Sequence, residues 1–307
     1  VGPPVVAIFG PTGVGKTGAA TELARLLAER GEHAVAVNCD SIQVYAGLEI
    51  LSGAPAPQER AVLEHRLAGF VPVDEEFSAG RYADLARREL DRLLAAGTWP
   101  LVVGGTGLYL RAALTDLDLR RPVPPGIREA VELEIEREGP EAVHARLPGR
   151  FRKWVEPGDR KRITRLTELL RDGREPAADS EGGGELWTRT LRHPTVLAGL
   201  CMETDELTAR ISARVDTMAA AGAGREAGEA AAAGASRTAR AAIGFDEFRE
   251  GRLDRIKTLH RRYGRRQMTW MRRMEGVEVI DRTGLSDRSV AARILELAER
   301  GPDRQIG

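Results

Sequence analysis

The stretch that most constrains this chain is Val5-Val6-Ala7-Ile8-Phe9, which runs straight into Gly10-Pro11-Thr12-Gly13-Val14-Gly15-Lys16-Thr17. The second part fits the pattern G-x-x-x-x-G-K-[ST] without a mismatch, and its context is the one that pattern requires. An apolar β-branched run precedes it, and Ala19 to Arg30 behind it has helical periodicity. Strand, glycine-rich loop and helix in that order make a P-loop. Glycines let the backbone wrap an anion, and successive N–H groups at the helix N-terminus point at phosphate oxygens. Gly10, Thr12, Gly13, Val14, Gly15, Lys16 and Thr17 are therefore the expected phosphate cradle. Lys16 adds a mobile positive charge, and the Thr17 hydroxyl is a ligand for Mg2+. A di- or triphosphate is the implied ligand, and the loop alone does not choose between them.

Further along, Ala34 to Cys39 reads as a second buried strand that ends in Asp40-Ser41-Ile42-Gln43-Val44-Tyr45. Ligands of α/β sheets bind at the carboxyl ends of the strands, so Asp40 is expected beside the phosphates that Lys16 holds. Besides that place near the phosphates, two other readings are open to it: a turn cap or a Walker-B-like carboxylate for Mg2+. Ser52 to Phe77 reads as a Pro- and Gly-punctuated loop, with His65 a structural or exposed histidine. An amphipathic helix follows over Ser78 to Ala96, with Ser78 as its cap. A further strand, Trp99 to Val103, opens into Gly104-Gly105-Thr106-Gly107-Leu108-Tyr109. This second glycine-rich turn is expected at the same sheet edge, with the Thr106 hydroxyl placed to donate to an oxyanion.

From about Pro122 to Pro176 strands vanish and charged helices take over, among them Ile127–Glu138 and Asp159–Arg171, while Glu175 to Glu185 reads as a flexible hinge. Strand character returns at Thr195 to Met202. The helix Asp205 to Ala221 carries Arg210 and Arg214 at i,i+4 on one face, either bridging to acids or clamping phosphate. Gly222 and Gly224 break an Ala/Gly-rich run, a basic helix spans Arg255 to Arg273, and a strand Val277–Asp281 and helix Asp287–Arg300 follow. The fold class is α/β: a P-loop NTPase-like parallel sheet flanked by helices, with an inserted all-helical subdomain. The expected limits are 1–121 and 191–307 for the two parts of the core and 122–190 for the insert.

The 307 residues, 42% hydrophobic and 30% charged, suit a globular protein with a full core. No apolar run is long enough for a bilayer and no signal peptide precedes the first strand, so a cytoplasmic protein without membrane contact is expected. Cys39 and Cys201 sit singly in apolar runs, as buried thiols in a reducing compartment rather than metal ligands. Net charge is zero, which alone speaks against a nucleic-acid partner. The distribution is uneven, however: arginine concentrates at Arg150 to Arg165 and Arg252 to Arg273, either as solvated faces or as a phosphate-backbone footprint.

Taken together, several separated motifs resemble the tRNA dimethylallyltransferases. They are Gly10–Thr17, Asp40 to Tyr45, Phe77-Ser78-Ala79, Gly104 to Tyr109, Gly158-Asp159 through Arg162 and Arg165, Arg210 to Met218, Gly244-Phe245 and Arg265-Arg266-Gln267-Met268-Thr269-Trp270. The resemblance runs from Val5 to Asp281, and D-S-x-Q-V-Y with G-G-T-G-L-Y is its specific part. It implies transfer of a dimethylallyl group from dimethylallyl diphosphate to the exocyclic amine of the adenine just 3′ of the anticodon. By resemblance Asp40 is the general base, Thr106 binds the bridging oxygen of the donor, and Lys16 and Arg214, with Arg210, neutralise the diphosphate. Asp40, Ser41, Ile42 and Gln43 would read the adenine. Lys161, Arg162, Ile163, Thr164, Arg165, Gly244, Arg266 and Gln267 would hold the tRNA anticodon stem-loop, with the protein acting as a monomer.

The chain departs from the family in places. Leu51-Ser52-Gly53-Ala54-Pro55 stands where G-T-A-K-P is usual and loses the lysine. Asp246-Glu247 follows Gly244-Phe245 in place of a basic residue and Gln, Ala241 replaces an arginine, and His260-Arg261-Arg262-Tyr263 replaces T-R-Q-Y. These departures bear on RNA contacts more than on the donor site. Two other enzymes share part of the pattern: an isopentenyltransferase acting on free adenine nucleotides, and a P-loop small-molecule kinase. A nucleotide-gated RNA-binding module without catalysis is the third alternative. Neither a mononucleotide enzyme nor a kinase needs the basic helix, and Asp40 with Thr106 speaks against a non-catalytic module.

Overall fold

The computed structural model of the protein describes residues 2–117, 119, 123–174 and 190–301. Two compact units make up the chain, one of Val1–Leu119 with Arg189–Gly307 and one of Arg120–Thr188.

Among the described residues of the first unit six strands form one parallel sheet: β1 (Val5–Phe9), β2 (Ala34–Asn38), β3 (Glu64–Arg66), β4 (Trp99–Gly104), β5 (Thr195–Cys201) and β6 (Val277–Asp281). Their order across the sheet is β3-β2-β4-β1-β5-β6. Parallel neighbours need long crossovers, and helices supply them, covering the sheet so that the central strands are buried. All five residues of β1 are buried accordingly. The expected α/β class, a P-loop-type parallel sheet flanked by helices, is the fold observed.

One face of the sheet carries the helix Lys16–Ala28 packed against the last helix, Asp287–Arg300. Leu23 and Leu27 of the former and Val290 and Ile294 of the latter join Val6, Ile8, Leu101 and Leu200 in one core cluster. The strand Val277–Asp281 and the helix Asp287–Arg300 have the bounds read from the sequence. Ser78 does cap its helix (Ala79–Ala95), accepting from the Arg81 N–H at 3.2 Å.

Two readings need correction. The segment Ser52 to Phe77 is more than a loop: it holds the helix Pro57–Val62 and the strand β3, whose His65 pairs in parallel with Ala36 of β2. A three-residue polar edge strand shows no apolar alternation to read. Cys39 is buried, but Cys201 is only half-buried, because it closes β5 where the sheet opens to solvent.

The second unit is helical where described, with helices Pro125–Glu138, Pro140–Arg146, Gly149–Arg152 and Arg160–Arg171. They enclose a small core of Val131, Ile135, Val143, Leu147, Val155, Ile163 and Leu166. Asp159 caps the last of them, accepting from the Arg162 N–H at 3.1 Å. The stretch Glu175 to Glu185 lies outside the described residues.

Candidate active site

Strand β4 lies between β1 and β2, so the turn that leaves it stands between the loop leaving β1 and the loop leaving β2. Three chemistry-bearing loops thus meet at one sheet edge. Backbone bonds lock the junction: the Cys39 N–H donates to Val103 O at 2.8 Å, and the Thr106 N–H donates to Cys39 O at 3.2 Å.

The first loop is an anion cradle. Among the described residues the N–H groups of Gly13, Gly15, Lys16 and Thr17 donate to no protein group. Four backbone donors without protein acceptors, at the start of a helix, are what a phosphate group needs. Gly15 is held in the left-handed region at φ 88°, where a side chain is strained. Lys16 Nζ folds over the loop and donates to Gly10 O and Pro11 O, each at 3.0 Å. Burial pushes its ammonium down to about 8, the nearby Asp40 opposes that, and Arg214 adds to the lowering. A dianion arriving here would satisfy both the charge and the amides.

Asp40 is clasped by the residue before the bend. The Asn38 side chain accepts from the Asp40 N–H and donates to the Asp40 carbonyl, each at 3.0 Å. It also donates to Leu67 O at 2.9 Å, and Leu67 sits at φ 58°. Asp40 Oδ1 accepts from the Ile42 N–H at 2.9 Å, which fixes the carboxylate toward its own turn. Opposite, Thr106 Oγ1 accepts from the Ser41 N–H at 3.1 Å and lies 3.4 Å from Ser41 Oγ. Asp40, Ser41, Ile42 and Gln43 are each half-buried.

The two arginines that share a helix face part company. Arg214 turns inward and donates to Ser52 O and Gly53 O, both at 3.3 Å, carbonyls that Gln43 also bonds, the nearer at 3.1 Å. Burial lowers its guanidinium against the pull of Asp40. Arg210 instead pairs with Glu206 at 2.9 Å and stays exposed on its outer side. His260, buried beside Arg214, is pushed down to about 4 by burial and by that guanidinium, so it is neutral near pH 7.

Gln267 is buried, and its amide spans two loops: Oε1 accepts from the Thr12 N–H at 2.8 Å and Nε2 donates to Gly105 O at 2.8 Å. Beside it an apolar recess is lined by Phe9, Leu110, Trp270, Met271 and Met274 and adjoins Gly10 and Thr106. Gly244 is buried at the start of the helix Phe245–Arg249, and Arg266 is exposed with its guanidinium 5.5 Å from the Tyr263 ring centre. In the helical unit Lys161 and Arg162 are exposed, whereas Ile163 is part of that unit's core. The Thr164 hydroxyl donates to Arg160 O at 2.7 Å, and Arg165 donates to Glu168 at 3.1 Å. Sequence reasoning did not single out Asn38 or Arg282. An amide side chain just ahead of Asp40, at the end of a buried strand, was the available signal for the first.

A family model described as IPP transferase matches residues 43–274, and one described as isopentenyl transferase matches residues 3–67. The chain belongs to the IPP transferase family. Among curated relatives, a tRNA dimethylallyltransferase of Anaeromyxobacter dehalogenans is 38% identical over 89% of this chain and 93% of its own. One of Streptomyces coelicolor is 36% identical over 97% and 96%. The crystal structure of the tRNA isopentenylpyrophosphate transferase of Bacillus halodurans superposes with a TM-score of 0.69 at 27% identity, covering 98% of both chains. The protein is thus an enzyme of the prenyltransferase class. Its IPP transferase match takes in Gln43, Thr106, Arg214 and Gln267, while the isopentenyl transferase match takes in the P-loop and Asp40.

Proposed function

We propose that this IPP transferase moves a dimethylallyl group from dimethylallyl diphosphate to the exocyclic amine of the adenosine 3′-adjacent to the anticodon in tRNA. The observation that carries this reading is the meeting, at one sheet edge, of four unpaired loop amides and Lys16 with the Asp40 carboxylate and the Thr106 hydroxyl. A P-loop beside a carboxylate base suits a reaction whose leaving group is a diphosphate and whose nucleophile is a weakly acidic amine. The names of the curated relatives support the same activity.

In this mechanism the cradle amides and Lys16 hold the leaving diphosphate, and Thr106 donates to its bridging oxygen. The carbon–oxygen bond of the donor breaks and a nitrogen–carbon bond forms to the adenine amine. Asp40 orients that amine and takes its proton. Arg214 adds positive charge from the far side of the site. Leu110, Trp270 and Met271, which line the narrow recess beside the cradle, would present apolar side chains to the dimethylallyl group. Because a stacked base cannot reach a buried electrophile, the adenine leaves its stack, with Ser41 and Gln43 at its edge.

Mg2+ fits the donor set. Among the described residues no group of three or more His, Cys, Asp or Glu side chains is placed to hold a metal, and Mg2+ is commonly bound by few protein groups plus substrate phosphates. The Thr17 hydroxyl would hold it together with diphosphate oxygens. When bound, it neutralises charge on the departing group. All the groups invoked for the chemistry come from one unit of one chain, as a monomeric enzyme requires. No helix among the described residues is long and apolar enough to cross a membrane, and we place the enzyme with its tRNA in the cytoplasm.

Incubation with dimethylallyl diphosphate, Mg2+ and unmodified tRNA, followed by nuclease digestion and mass spectrometry of the nucleosides, tests the proposal. The expected result is one prenyl mass on the adenosine 3′ of the anticodon, reduced by about 10²–10⁴-fold in rate for Asp40→Ala. Prenylation of free AMP with none on tRNA, or consumption of ATP, would sink it.

A further inference from the structure

Behind the P-loop, on the side away from its open amides, lies a buried charge that the mechanism above does not use. Arg282 follows the last residue of β6 and is 2% exposed. Its Nη1 donates to Val14 O at 3.0 Å, to Gly15 O at 3.3 Å and to Asp287 Oδ1 at 2.8 Å, and its Nη2 donates to Leu285 O at 3.1 Å. The pair is seated in space that two glycines leave open. A Cβ on Gly15 would lie 2.0 Å from Arg282 Nη1, and one on Gly18 would lie 2.2 Å from Asp287 Oδ2.

Peptide planarity gives those bonds a consequence on the opposite face of the loop. In a trans peptide the carbonyl of one residue and the N–H of the next point in opposite directions, and no peptide among the described residues is cis. Anchoring Val14 O on the guanidinium therefore turns the Gly15 N–H outward, into the cradle. Anchoring Gly15 O does the same for the Lys16 N–H, although there the Ala19 N–H shares the acceptor at 3.1 Å. Val14 O has no such second anchor among the described residues, so the Gly15 amide is the one that depends most on Arg282.

We infer that Arg282 is a positioning residue for diphosphate: its guanidinium, fixed by Asp287, presets the Gly15 and Lys16 amides that receive the leaving group. The inference rests on the reading of the P-loop as the diphosphate site. It adds that the site's affinity is controlled from the end of β6, more than 260 residues along the chain from the loop itself. The role differs from a packing role. A group that only fastens β6 to the P-loop helix would change stability and leave the affinity of the folded protein alone. Preorganised donors, by contrast, bind an anion without the cost of reorienting themselves.

The test is calorimetric titration of the full chain with inorganic diphosphate in Mg2+ buffer, for wild type, Arg282→Met, Arg282→Gln and Arg282→Lys. Each is measured well below its own Tm. The expected result is a Kd at least tenfold weaker for Arg282→Met, with Arg282→Gln and Arg282→Lys intermediate because each reaches one carbonyl. The donor KM should rise while the KM for tRNA stays as in wild type. A folded Arg282→Met with the wild-type Kd overturns the inference while leaving the P-loop reading intact. If Arg282→Met does not fold, wild-type affinity in both Arg282→Gln and Arg282→Lys overturns it equally. Failure of wild type itself to bind diphosphate overturns the reading on which it rests.

Discussion

Lys16 is the residue at which this site is most exposed to pH. Its ammonium is lowered from 10.5 to about 8 by burial, and Arg214 adds to that, while Asp40 works the other way. Only the charged form attracts a diphosphate, so affinity of the free protein for dimethylallyl diphosphate should be constant up to about pH 7.5 and fall above pH 8. The fall should approach tenfold per pH unit. Titrations from pH 6.5 to 9.5 check this, and Lys16→Met should bind weakly with no such decline. Stability runs the other way. Between about 8 and 10.5 the unfolded chain holds a proton on this lysine that the folded chain has released, so unfolding free energy from Lys16 rises with pH across that window. The penalty of burying the ammonium is in full force below pH 8. A site that gains affinity where it loses stability is the behaviour of a charge kept for a ligand rather than for the fold. Asp40 sits within reach of that charge, and the clasp of Asn38 holds it there through two backbone bonds.

At the scale of elements, the site depends on how closely β2 and β4 approach at their carboxyl ends. A Cβ on Gly104 would lie 2.2 Å from both the carbonyl carbon and the oxygen of Cys39. Backbone cannot yield as a flexible side chain does, so Gly104→Ala should separate the two strands and carry Asp40 away from Thr106. We expect a loss of roughly 2–4 kcal/mol in urea unfolding, in the range of severe overpacking. Prenyl transfer should be lost even at temperatures where the variant is folded. Much of this edge was legible beforehand, because each loop follows a short buried apolar run and strand ends collect ligands in α/β sheets. What escaped was set by contacts remote in sequence. Resemblance assigns Gln267 to the RNA, and no local pattern announces that its amide also bridges Thr12 and Gly105, 255 and 162 residues away. Arg210 and Arg214 share a helical face, and periodicity could not tell that one reaches the Ser52 and Gly53 carbonyls while the other meets Glu206. β3 escaped for a different reason: Glu64-His65-Arg66 borrows its strand conformation from β2 and has no pattern of its own.

For the molecule as a whole, the question is how a chain of zero net charge takes hold of a polyanion. Net charge governs the far field, whereas an RNA backbone at contact feels only charges within about 10 Å at ordinary ionic strength. The helix Leu253–Arg273 exposes Arg255, Arg262, Arg265, Arg266 and Arg272. Taken by itself, the helical unit exposes Lys153, Lys161 and Arg162. The acids that balance the sum are partly tied up elsewhere, as Glu134 and Glu138 are by Arg146. If these surfaces meet phosphates, tRNA binding must release counterions, and log K should fall linearly with log salt. Each phosphate contact contributes a slope of about 0.7–0.9. Replacing Arg265 and Arg266 by alanine should lower that slope by about 1–2 and weaken tRNA at 100 mM salt. Affinity for dimethylallyl diphosphate should stay as in wild type, since neither residue joins the P-loop. Filter binding across 50–300 mM salt makes the comparison. An unchanged slope would return the basic helix to solvated surface and leave RNA recognition to the loops around Asp40. A reduced slope with intact donor binding would divide the labour between the sheet edge, which grips the diphosphate, and the arginine surfaces, which grip the RNA.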